Sequence, residues 1–589
     1  MDTQKDPKEP KGRQCGDAGH SPNLKDKKVT TWIHTELPMS DDKQQTAEGT
    51  HLEVKPMVSN STVGEEQQTG DAHLASKQTD VLEPADDGAD HERSDAVICS
   101  EDNETHTNGE PILTNREMRG WQMYFWAAFP VSVNASTYAA ILLESLAAKG
   151  GVQEDYITPC DISVKGYTCY TQFGGGWVNT TSYALYINAI SVLVNAVISI
   201  GCGAFADHGT YRKGFMLGFG VLGAVVGIVS LAANTPAMLP LFTALTMVSS
   251  ICYSTSMVFC NAYLPTYTRV HPNVVAARRV SSALDSKEHI RAIEETSNTL
   301  AGHGFALGYA GSIITLIINV LIVYFSGGTT FSMQIALAVT GTWWLVWMLV
   351  PFKFVKHRPG PPLPAGESYI FFSFKTIWRT LRRARQLSMT FRFLIAWLFI
   401  SDSVSTISTT AILFGKSVLG ATTIQLAIVS IIVPVAALTG NILWVHIQRW
   451  THLSTRVLIM VMICVFIVLP VYGLIGLSPN IGFGLKTIGE FYGSAVFIGL
   501  SFGSFQAFCR AQFAQLIPPG RENEFFSLFS VTDCGAAFVG PLIAGVIGNA
   551  TGNLRYNFAF LLAILIIPLI IVATVDVQNG RMQAAAFKK

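Results

Sequence analysis

The sequence predicts an all-α, polytopic membrane protein with about twelve transmembrane helices in two six-helix halves and a disordered N-terminal tail. Three observations lead to this fold class. Only 14% of the 589 residues are charged and 49% are hydrophobic, whereas roughly 25% are charged in an average soluble domain. After residue 120 the chain contains about twelve mostly apolar runs of roughly 20 residues, the length that crosses a bilayer. Their connections are too short to supply the polar surface of a soluble protein.

Residues 1–118 differ in composition from the rest of the chain. They contain charged stretches such as KDPKEPKGR and EPADDGADHERSD, few aromatic residues and no sustained hydrophobic periodicity. A segment of this kind cannot bury enough apolar surface to offset the entropy of ordering. We therefore expect a disordered cytosolic tail, and we see no cleavable signal peptide at its start.

The predicted spans follow one another with short connections. Several contain proline or glycine, which membrane helices tolerate. Their extents are 121–147, 182–205, 214–233, 237–262, 303–325, 331–354, 391–414, 425–446, 456–477, 486–508, 526–548 and 554–576.

A longer connection, 355–390, separates a first half, 119–354, from a second half, 391–577, and a C-terminal tail, 578–589, follows. This linker contains PGPPLP and then FFSFKTIWRTLRRARQ, in which aromatic residues alternate with arginines. Such an amphipathic basic stretch favours a position on the membrane surface. The sequence RRVSSALDSKEHIRAIEE, before the fifth span, predicts a short exposed helix.

The distribution of basic residues between the spans predicts the orientation of the chain. Lys and Arg concentrate in the connections after even-numbered spans, and such connections face the cytosol. Both termini are then cytosolic, and the 148–181 loop faces the other compartment. The basic residues that decide this are Arg212, Lys213, Arg278, Arg279, Arg291, Lys356, Arg379, Arg382, Arg383 and Arg385.

The 148–181 loop carries features of a lumenal segment. Asn179 begins an Asn-Thr-Thr acceptor for N-glycosylation, and Cys160 and Cys169 share the loop in a compartment where disulfides are stable. We expect a glycan on Asn179 and a bond between the two cysteines. Asn549 begins a second acceptor on the same side, closer to the membrane.

Other function classes find little support in the sequence. The net charge is zero, and no basic block is dense enough for nucleic acid. No CxxC metal motif and no HExxH catalytic motif occurs, so we expect no metal, no bound cofactor and no enzymatic activity. Six cysteines are scattered in apolar runs, where they behave as small hydrophobic residues; they are Cys202, Cys252, Cys260, Cys464, Cys509 and Cys534.

The segment GCGAFADHGTYRKGF interrupts two apolar runs with a cluster of polar residues. Two six-span halves with a cytosolic linker resemble major-facilitator transporters, whose second and third spans are joined by Gly-x-x-x-Asp and basic residues. Gly203 would allow close helix approach, and Asp207 could meet the positive start of another helix, near Arg521. With Arg212 and Lys213 it would form a cytosolic gate; the alternative is a merely charged turn.

Several motifs together resemble a narrower family, the fungal vacuolar amino-acid effluxers tied to autophagy. The resemblance implies a vacuolar membrane carrier that exports leucine and similar neutral amino acids from lumen to cytosol. Ala127 and Ala128 stand where an acidic residue is expected, and Cys534 where a lysine is expected. The motifs are ADHGTYRK, RGWQMYFWAAFPVSVNASTYAAILLESLA, GFALGYAGS, SDSVSTISTTAILFGK and IPPGRENEFFSLFSVTDCG.

Acidic residues inside the spans are candidates for proton coupling. An ionised group at the bilayer centre costs roughly 2.5–3.5 kcal/mol on insertion scales. Asp402 lies near the middle of span seven, before a run of Ser and Thr that would suit a wet cavity, and Asp533 lies in span eleven. Either could instead be a structural, hydrogen-bonded acid. Glu144 and Glu490 are shallow enough to be solvated charges at the rim.

A zwitterionic substrate would need an acceptor for its ammonium group and donors for its carboxylate group. Asn134 and Tyr138 are four residues apart, so one helix would present both on the same face. Each such residue could also serve only helix packing. The substrate-cavity candidates are Asn134, Tyr138, Tyr309, Ser405 and Thr406.

The sequence leaves a second function open. A membrane scaffold or receptor could keep the transporter fold while using the tail and the 263–302 loop for partners. The polar run 401–410 argues against it, because a scaffold has no use for a wet cavity. The predicted partners of a carrier are the lipid bilayer, amino acids and, as a hypothesis, protons.

Overall fold

Long helices make up most of the protein. The computed structural model describes residues 106–107, 110–160, 169–280, 286–362, 369–421, 423–536, 539–551 and 553–587, all within one compact unit, Glu92–Lys589. In this part of the chain, ten helices are long and apolar enough to cross a membrane. The all-α class of a polytopic membrane protein is thereby confirmed. The tail predicted to be disordered lies almost entirely outside the described residues.

The helices are numbered α1 to α18 in chain order. Their bounds are Asn115–Asn134, Ala140–Lys149, Thr180–Ala206, Tyr211–Val229, Leu239–Arg269, Pro272–Val280, Lys287–Phe325, Thr330–Trp347, Leu349–Phe354, Tyr369–Arg382, Ser388–Ser417, Thr423–Thr451, Thr455–Ile475, Ile488–Ala514, Glu522–Ala536, Val539–Thr551, Asn557–Ala573 and Val577–Ala586.

The first predicted span is built from two helices, because the π-helical turn Ala135–Ala139 joins α1 to α2. The eleventh predicted span contains α15 and α16, and residues 537–538 lie outside the described part. The first helix begins at Asn115 rather than at residue 121, because Thr114 caps it by accepting a hydrogen bond from the Glu117 N–H at 3.3 Å. The helix is therefore longer than the apolar run in the sequence, because its first turns are polar.

The polar stretch predicted as a short exposed helix before the fifth span is divided between two helices. Its first three residues end the short helix α6, Pro272–Val280, and residues 281–285 lie outside the described part. Its remainder forms the first turns of α7, which begins at Lys287 and continues for 39 residues to Phe325. Ser286 caps α7 by accepting a hydrogen bond from the His289 N–H.

Two short antiparallel ribbons accompany the helices. The first pairs β1, His106–Thr107, with β2, Glu110–Pro111, and the second pairs β3, Tyr170–Phe173, with β4, Gly176–Asn179. Gly174 and Gly175 adopt positive φ angles in the tight turn of the second hairpin. Cys160 and Cys169 are joined by a disulfide bond next to this hairpin.

The two halves pack against each other along several helix pairs. Within the first half α1 packs on α7, and α4 on α5 and α8; within the second, α11 packs on α17 and α12 on α14. Across the halves, α3 and α5 contact α15, and α7 contacts α12 and α14. The end of the bundle that carries Arg212, Arg269 and Arg521 is called the basic end, and the end that carries the β3–β4 hairpin is called the opposite end.

Candidate functional site

Asp207 at the basic end links the two halves. It follows the last residue of α3 and accepts hydrogen bonds from the backbone N–H groups of Asn523 at 2.8 Å and Glu524 at 2.9 Å. The side-chain amide of Asn523 donates a third, at 2.9 Å. The first N–H groups of a helix have no partner within it, and the helix dipole favours a negative charge there. Asp207 therefore caps α15 of the other half.

Three further charged residues complete an inter-half cluster, defined here as Asp207, Arg212, Arg269 and Glu522. Arg212 Nη2 lies 3.2 Å from Asp207 Oδ1 and 3.0 Å from Glu522 Oε2. The other terminal nitrogen of Arg212 donates to Thr266 Oγ1 at 3.0 Å. Arg269 Nη2 lies 2.5 Å from Glu522 Oε1. Two acids and two arginines from α3, α4, α5 and α15 thus meet at one point.

The cluster is electrostatically coupled. Burial disfavours ionisation of Glu522, but Arg269 and Arg212 outweigh it and lower the pKa of this carboxyl to about 2. Burial and the charge of Glu522 raise the pKa of Asp207, although Arg212 acts in the opposite direction. Removing one partner of a buried ion pair costs about 3–5 kcal/mol, because it leaves an uncompensated charge. The four residues therefore stabilise the contact between the halves as one unit.

Gly203 allows α3 and α15 to approach closely. A Cβ atom at this position would collide with the side chain of Ser527 and would lie 3.1 Å from the carbonyl oxygen of Asn523. The glycine of the predicted gate motif is thus required by the packing of one half on the other.

The two other predicted gate residues take different positions. Lys213 donates to the carbonyl oxygen of Phe352 at 2.9 Å and so stays within the first half. Arg521 lies 2.7 Å from Glu524 Oε2 and donates to Thr380 on α10 at 3.0 Å. The linker helix α10 therefore reaches the edge of the closed contact, and the hydroxyl of Thr380 donates to Glu524 at 2.6 Å.

A cavity of about 250 Å³ lies between the halves. It meets a second cavity, of about 470 Å³, at Ser132, Tyr253 and Ser254. The second cavity extends past Leu143 and Ser230 toward the opposite end. The lining of the central cavity is Phe129, Ser132, Tyr253, Ser254, Met257, Val258, Asn261, Phe305, Tyr309, Phe502, Gln506, Arg510, Phe526, Phe529, Ser530 and Asp533.

Asp533 lies on the wall of the central cavity. Its Oδ2 is 3.5 Å from Nη2 of Arg510, and its Oδ1 accepts a hydrogen bond from the Ser401 hydroxyl at 2.6 Å. Arg510 also donates to the side chain and the backbone carbonyl of Gln506. One cation and one anion thus face the same enclosed space.

Asp402 lies elsewhere, between α11 and α16. It is buried and accepts a hydrogen bond from the Gly540 N–H at 2.7 Å, near the start of α16. Among the described residues that line the central cavity, Asp402 is not present. Its carboxylate acts as a cap for α16 within the second half, and a role of Asp402 in proton coupling stays a prediction.

Of the five substrate-cavity candidates, the structure brings Tyr309 to the central cavity. Asn134 is buried in a network with Thr315 and Asn319 inside the first half. Tyr138 packs against Leu316 of the same helix, α7, and against Ala336. It lines an open pocket of about 410 Å³ rather than the central cavity.

The remaining two candidates belong to the interior of the second half. Thr406 is buried and donates to the backbone carbonyl of Asp402 at 2.7 Å, and a Cβ atom at Gly540 would collide with its hydroxyl. Ser405 is half-buried on the same helix. Neither lines the central cavity as formed by the described residues. Part of the Ser and Thr run of α11 therefore packs against α16 instead of lining the central cavity.

Two predicted modification sites lie at the opposite end. Asn179 is the last residue of β4, directly before α3. The side chain of Asn549, in α16, lies outside the described residues, as does that of Cys534.

Comparison with known proteins identifies the family. The sequence profile described as "Vacuole effluxer Atg22 like" matches residues 113–585. The chain belongs to the vacuole effluxer Atg22-like family. This confirms the resemblance inferred from the motifs and, together with the fold, makes the chain a vacuolar, autophagy-related membrane transporter.

Curated members of the Atg22-like family align with most of the chain. Autophagy-related protein 22-1 of Penicillium rubens is 31% identical over 544 residues, which cover 80% of this chain and 92% of that protein. Autophagy-related protein 22 of Coccidioides immitis is 32% identical over 533 residues, covering 80% and 88%.

Solved structures show the same fold at low identity. The human organic anion transporter MFSD10 superposes with a TM-score of 0.53 at 12% identity, covering 78% of this chain and 99% of that one. The major-facilitator proton:xylose symporter XylE gives 0.53 at 11%, covering 79% and 97%. The Atg22-like chain therefore has the major-facilitator fold.

The sequence indicates part of the site. It places the contact of Asp207 near Arg521 to Glu524, and the structure shows which of these residues make it, since Asn523 donates to Asp207 and Glu522 pairs with Arg212. Arg510 is one of two arginines that the sequence offers as a partner of Asp533, and the structure brings these two together. Glu117 and Arg358 form a second buried ion pair at the basic end, at 2.9 Å, between the start of α1 and the linker.

Proposed function

We propose that this chain exports neutral amino acids from the vacuolar lumen to the cytosol by alternating access. The observation that carries the proposal is a cavity between the halves that is sealed at one end by the inter-half cluster and continues toward the other. A carrier must close one side while its substrate site is open to the other. Four coupled charges that meet only when the halves touch provide such a lock.

The proposed orientation places the basic end in the cytosol. The concentration of Arg and Lys there supports it, as do the disulfide between Cys160 and Cys169 and the acceptor at Asn179 at the opposite end. Both termini are then cytosolic, and the path from the central cavity leads to the lumen. The sealed state described above is the one that loads substrate from the lumen.

Export from an acidic lumen can be driven by protons. Asp533 is the acid that supports this part of the proposal best, because it lies on the wall of the central cavity and beside Arg510.

The test is transport by the purified full-length protein in lipid vesicles. We expect efflux of radiolabelled leucine that exceeds efflux from protein-free vesicles and that increases when the compartment facing the opposite end of the protein is acidified. Leucine movement that depends on the protein but ignores the pH gradient would remove proton coupling and keep the export function. No protein-dependent movement of any neutral amino acid would favour the scaffold function.

A further inference from the structure

The central cavity contains a loosely paired arginine and aspartate. Arg510 and Asp533 are the charged residues among the described lining of this cavity. They make one contact, at 3.5 Å, rather than the two parallel hydrogen bonds of a tight arginine–carboxylate pair. In the described part of the chain, the buried Nε–H of Arg510 has no hydrogen-bond partner. A pair that served only stability would be expected to close more tightly.

Aromatic rings hold the guanidinium group of Arg510 in place. Its central carbon lies 5.2 Å from the ring centre of Phe305, 5.6 Å from that of Trp397 and 5.4 Å from that of Phe529. Rings at these distances attract a cation to the negative faces of their π-systems. They also fix the plane of the guanidinium group. Because Nη1 donates to Gln506 and one N–H of Nη2 points to Asp533, the second N–H of Nη2 remains for the substrate carboxylate.

We propose that Arg510 binds the α-carboxylate and Asp533 the α-ammonium group of an amino-acid substrate. A zwitterion carries both charges on adjacent groups and can bridge a separated cation and anion in one step. The assignment rests on the proposed export function and adds which residues recognise the substrate. Ser401 holds the Asp533 carboxylate through Oδ1, which leaves Oδ2 for the ammonium group.

The rest of the lining selects the substrate side chain. Phe129 packs edge-on against Phe305 and Tyr309, with ring centres 5.0 and 5.7 Å apart, and Met257 and Val258 line the cavity too. Beyond Arg510 and Asp533 the described lining offers no further charge to pair with an ionised side chain. Burying an unpaired charge is costly, so the site admits amino acids with apolar side chains and excludes lysine and glutamate.

Competition binding tests the assignment without any mutation. Purified full-length protein in detergent is incubated with radiolabelled leucine and increasing concentrations of leucine, leucinamide or N-acetylleucine. Leucinamide lacks the carboxylate and N-acetylleucine lacks the ammonium group. Because hydrogen bonds to charged groups are worth 1.5–3 kcal/mol, we expect each analogue to compete at least about tenfold more weakly than leucine.

Two variants then connect each group of the substrate to its residue. In Arg510→Gln the preference for leucine over leucinamide should disappear while the preference over N-acetylleucine remains. In Asp533→Asn the preference for leucine over N-acetylleucine should disappear, while the preference over leucinamide remains. Arg449→Gln and Asp576→Asn change an arginine and an aspartate far from the cavity and should keep both preferences. A variant that fails to fold leaves the competition profile of the parent protein as the deciding result.

The outcomes separate the two proposals. Analogues that compete as well as leucine, in a protein that transports leucine, would overturn the Arg510–Asp533 assignment and leave the export function intact. The assignment would also be overturned, with the export function intact, if folded Arg510→Gln and Asp533→Asn kept both preferences for leucine over its analogues. A parent protein that binds no amino acid would overturn both proposals.

Discussion

The carboxylate of Asp207 accepts a hydrogen bond from the backbone N–H of Asn523 at 2.8 Å, although 316 residues separate them in the chain. This contact joins the end of α3 in the first half to the first turn of α15 in the second. In the proposed transport cycle this contact breaks when the basic end opens, so it is the point at which the closed state can be weakened selectively.

The substitution Asp207→Asn should weaken closure at the basic end. An amide has one acceptor oxygen, and its NH₂ group would face one of the two N–H donors of α15. We expect a cost on the order of 1.5–3 kcal/mol to the closed state. The measurement is labelling of Ser530→Cys, in the cavity wall, by an impermeant thiol reagent added outside intact vacuoles. Labelling should be faster with Asp207→Asn than without it.

The matched control for this experiment is Lys213→Gln. Lys213 carries a charge in the same loop motif but contacts only its own half, through the Phe352 carbonyl, so labelling should not change. Equal rates in all three proteins would mean that the loop is a charged turn without a gating role.

The substitution Gly203→Ala should separate α3 from α15. The added methyl group would collide with the side chain of Ser527, and such overpacking costs about 1–3 kcal/mol. We expect a lower melting temperature in detergent and faster labelling of Ser530→Cys. Ser527→Gly removes the obstructing side chain. In the double variant it should restore part of the melting temperature and part of the slow labelling of Ser530→Cys. Additive losses in the double variant would contradict the steric explanation.

Stability should depend on pH through Glu522. Its pKa is lowered from 4.5 to about 2 in the closed state, so its contribution is fully present above pH 4.5 and is lost as the pH falls toward 2. We expect the parent protein to melt at a higher temperature than Glu522→Gln above pH 4.5. The margin should shrink on acidification below pH 4.5. If the difference in melting temperature grew below pH 4.5, the pKa of Glu522 would be raised in the folded protein rather than lowered.

Proton coupling should depend on Asp533 more than on Asp402. In Asp402→Asn the remaining oxygen can still accept the hydrogen bond from the Gly540 N–H, so we expect proton-driven leucine transport to persist. Asp533→Asn alters an acid in the cavity wall that is also the proposed ligand of the ammonium group, so leucine transport should fall and the transport that remains should not depend on the pH gradient. Vesicle assays with both variants decide between them. Loss of coupling in Asp402→Asn alone would return the role to Asp402.

The orientation can be checked on the loop at the opposite end. We expect the protein from vacuoles to carry a glycan on Asn179, in a loop whose cysteines Cys160 and Cys169 are bonded. Mass spectrometry of the non-reduced peptides that contain residues 150–181 would show both. An unmodified Asn179 together with free thiols would reverse the assignment of the two sides.

The sequence alone determined the class of the protein, its halves and most of its helices. Apolar runs long enough to cross a bilayer are a one-dimensional property, because a membrane helix satisfies its own backbone hydrogen bonds. The sequence also predicts the roles of Gly203 and Asp207. Glycine allows close helix approach, and an acid at a helix end can contact the positive start of another helix. The break in the first span was not readable, because the π-helical turn depends on how that helix packs.

Only the tertiary structure decided which polar residues act together. Asp402 and Asp533 look equivalent in the sequence, yet one caps α16 and the other faces Arg510 across a cavity. Glu522 gains its lowered pKa from Arg269 and Arg212, which lie on helices of the other half. Electrostatic interactions depend on distance and burial in three dimensions, and neither is encoded in the spacing of residues along a chain that crosses the membrane many times.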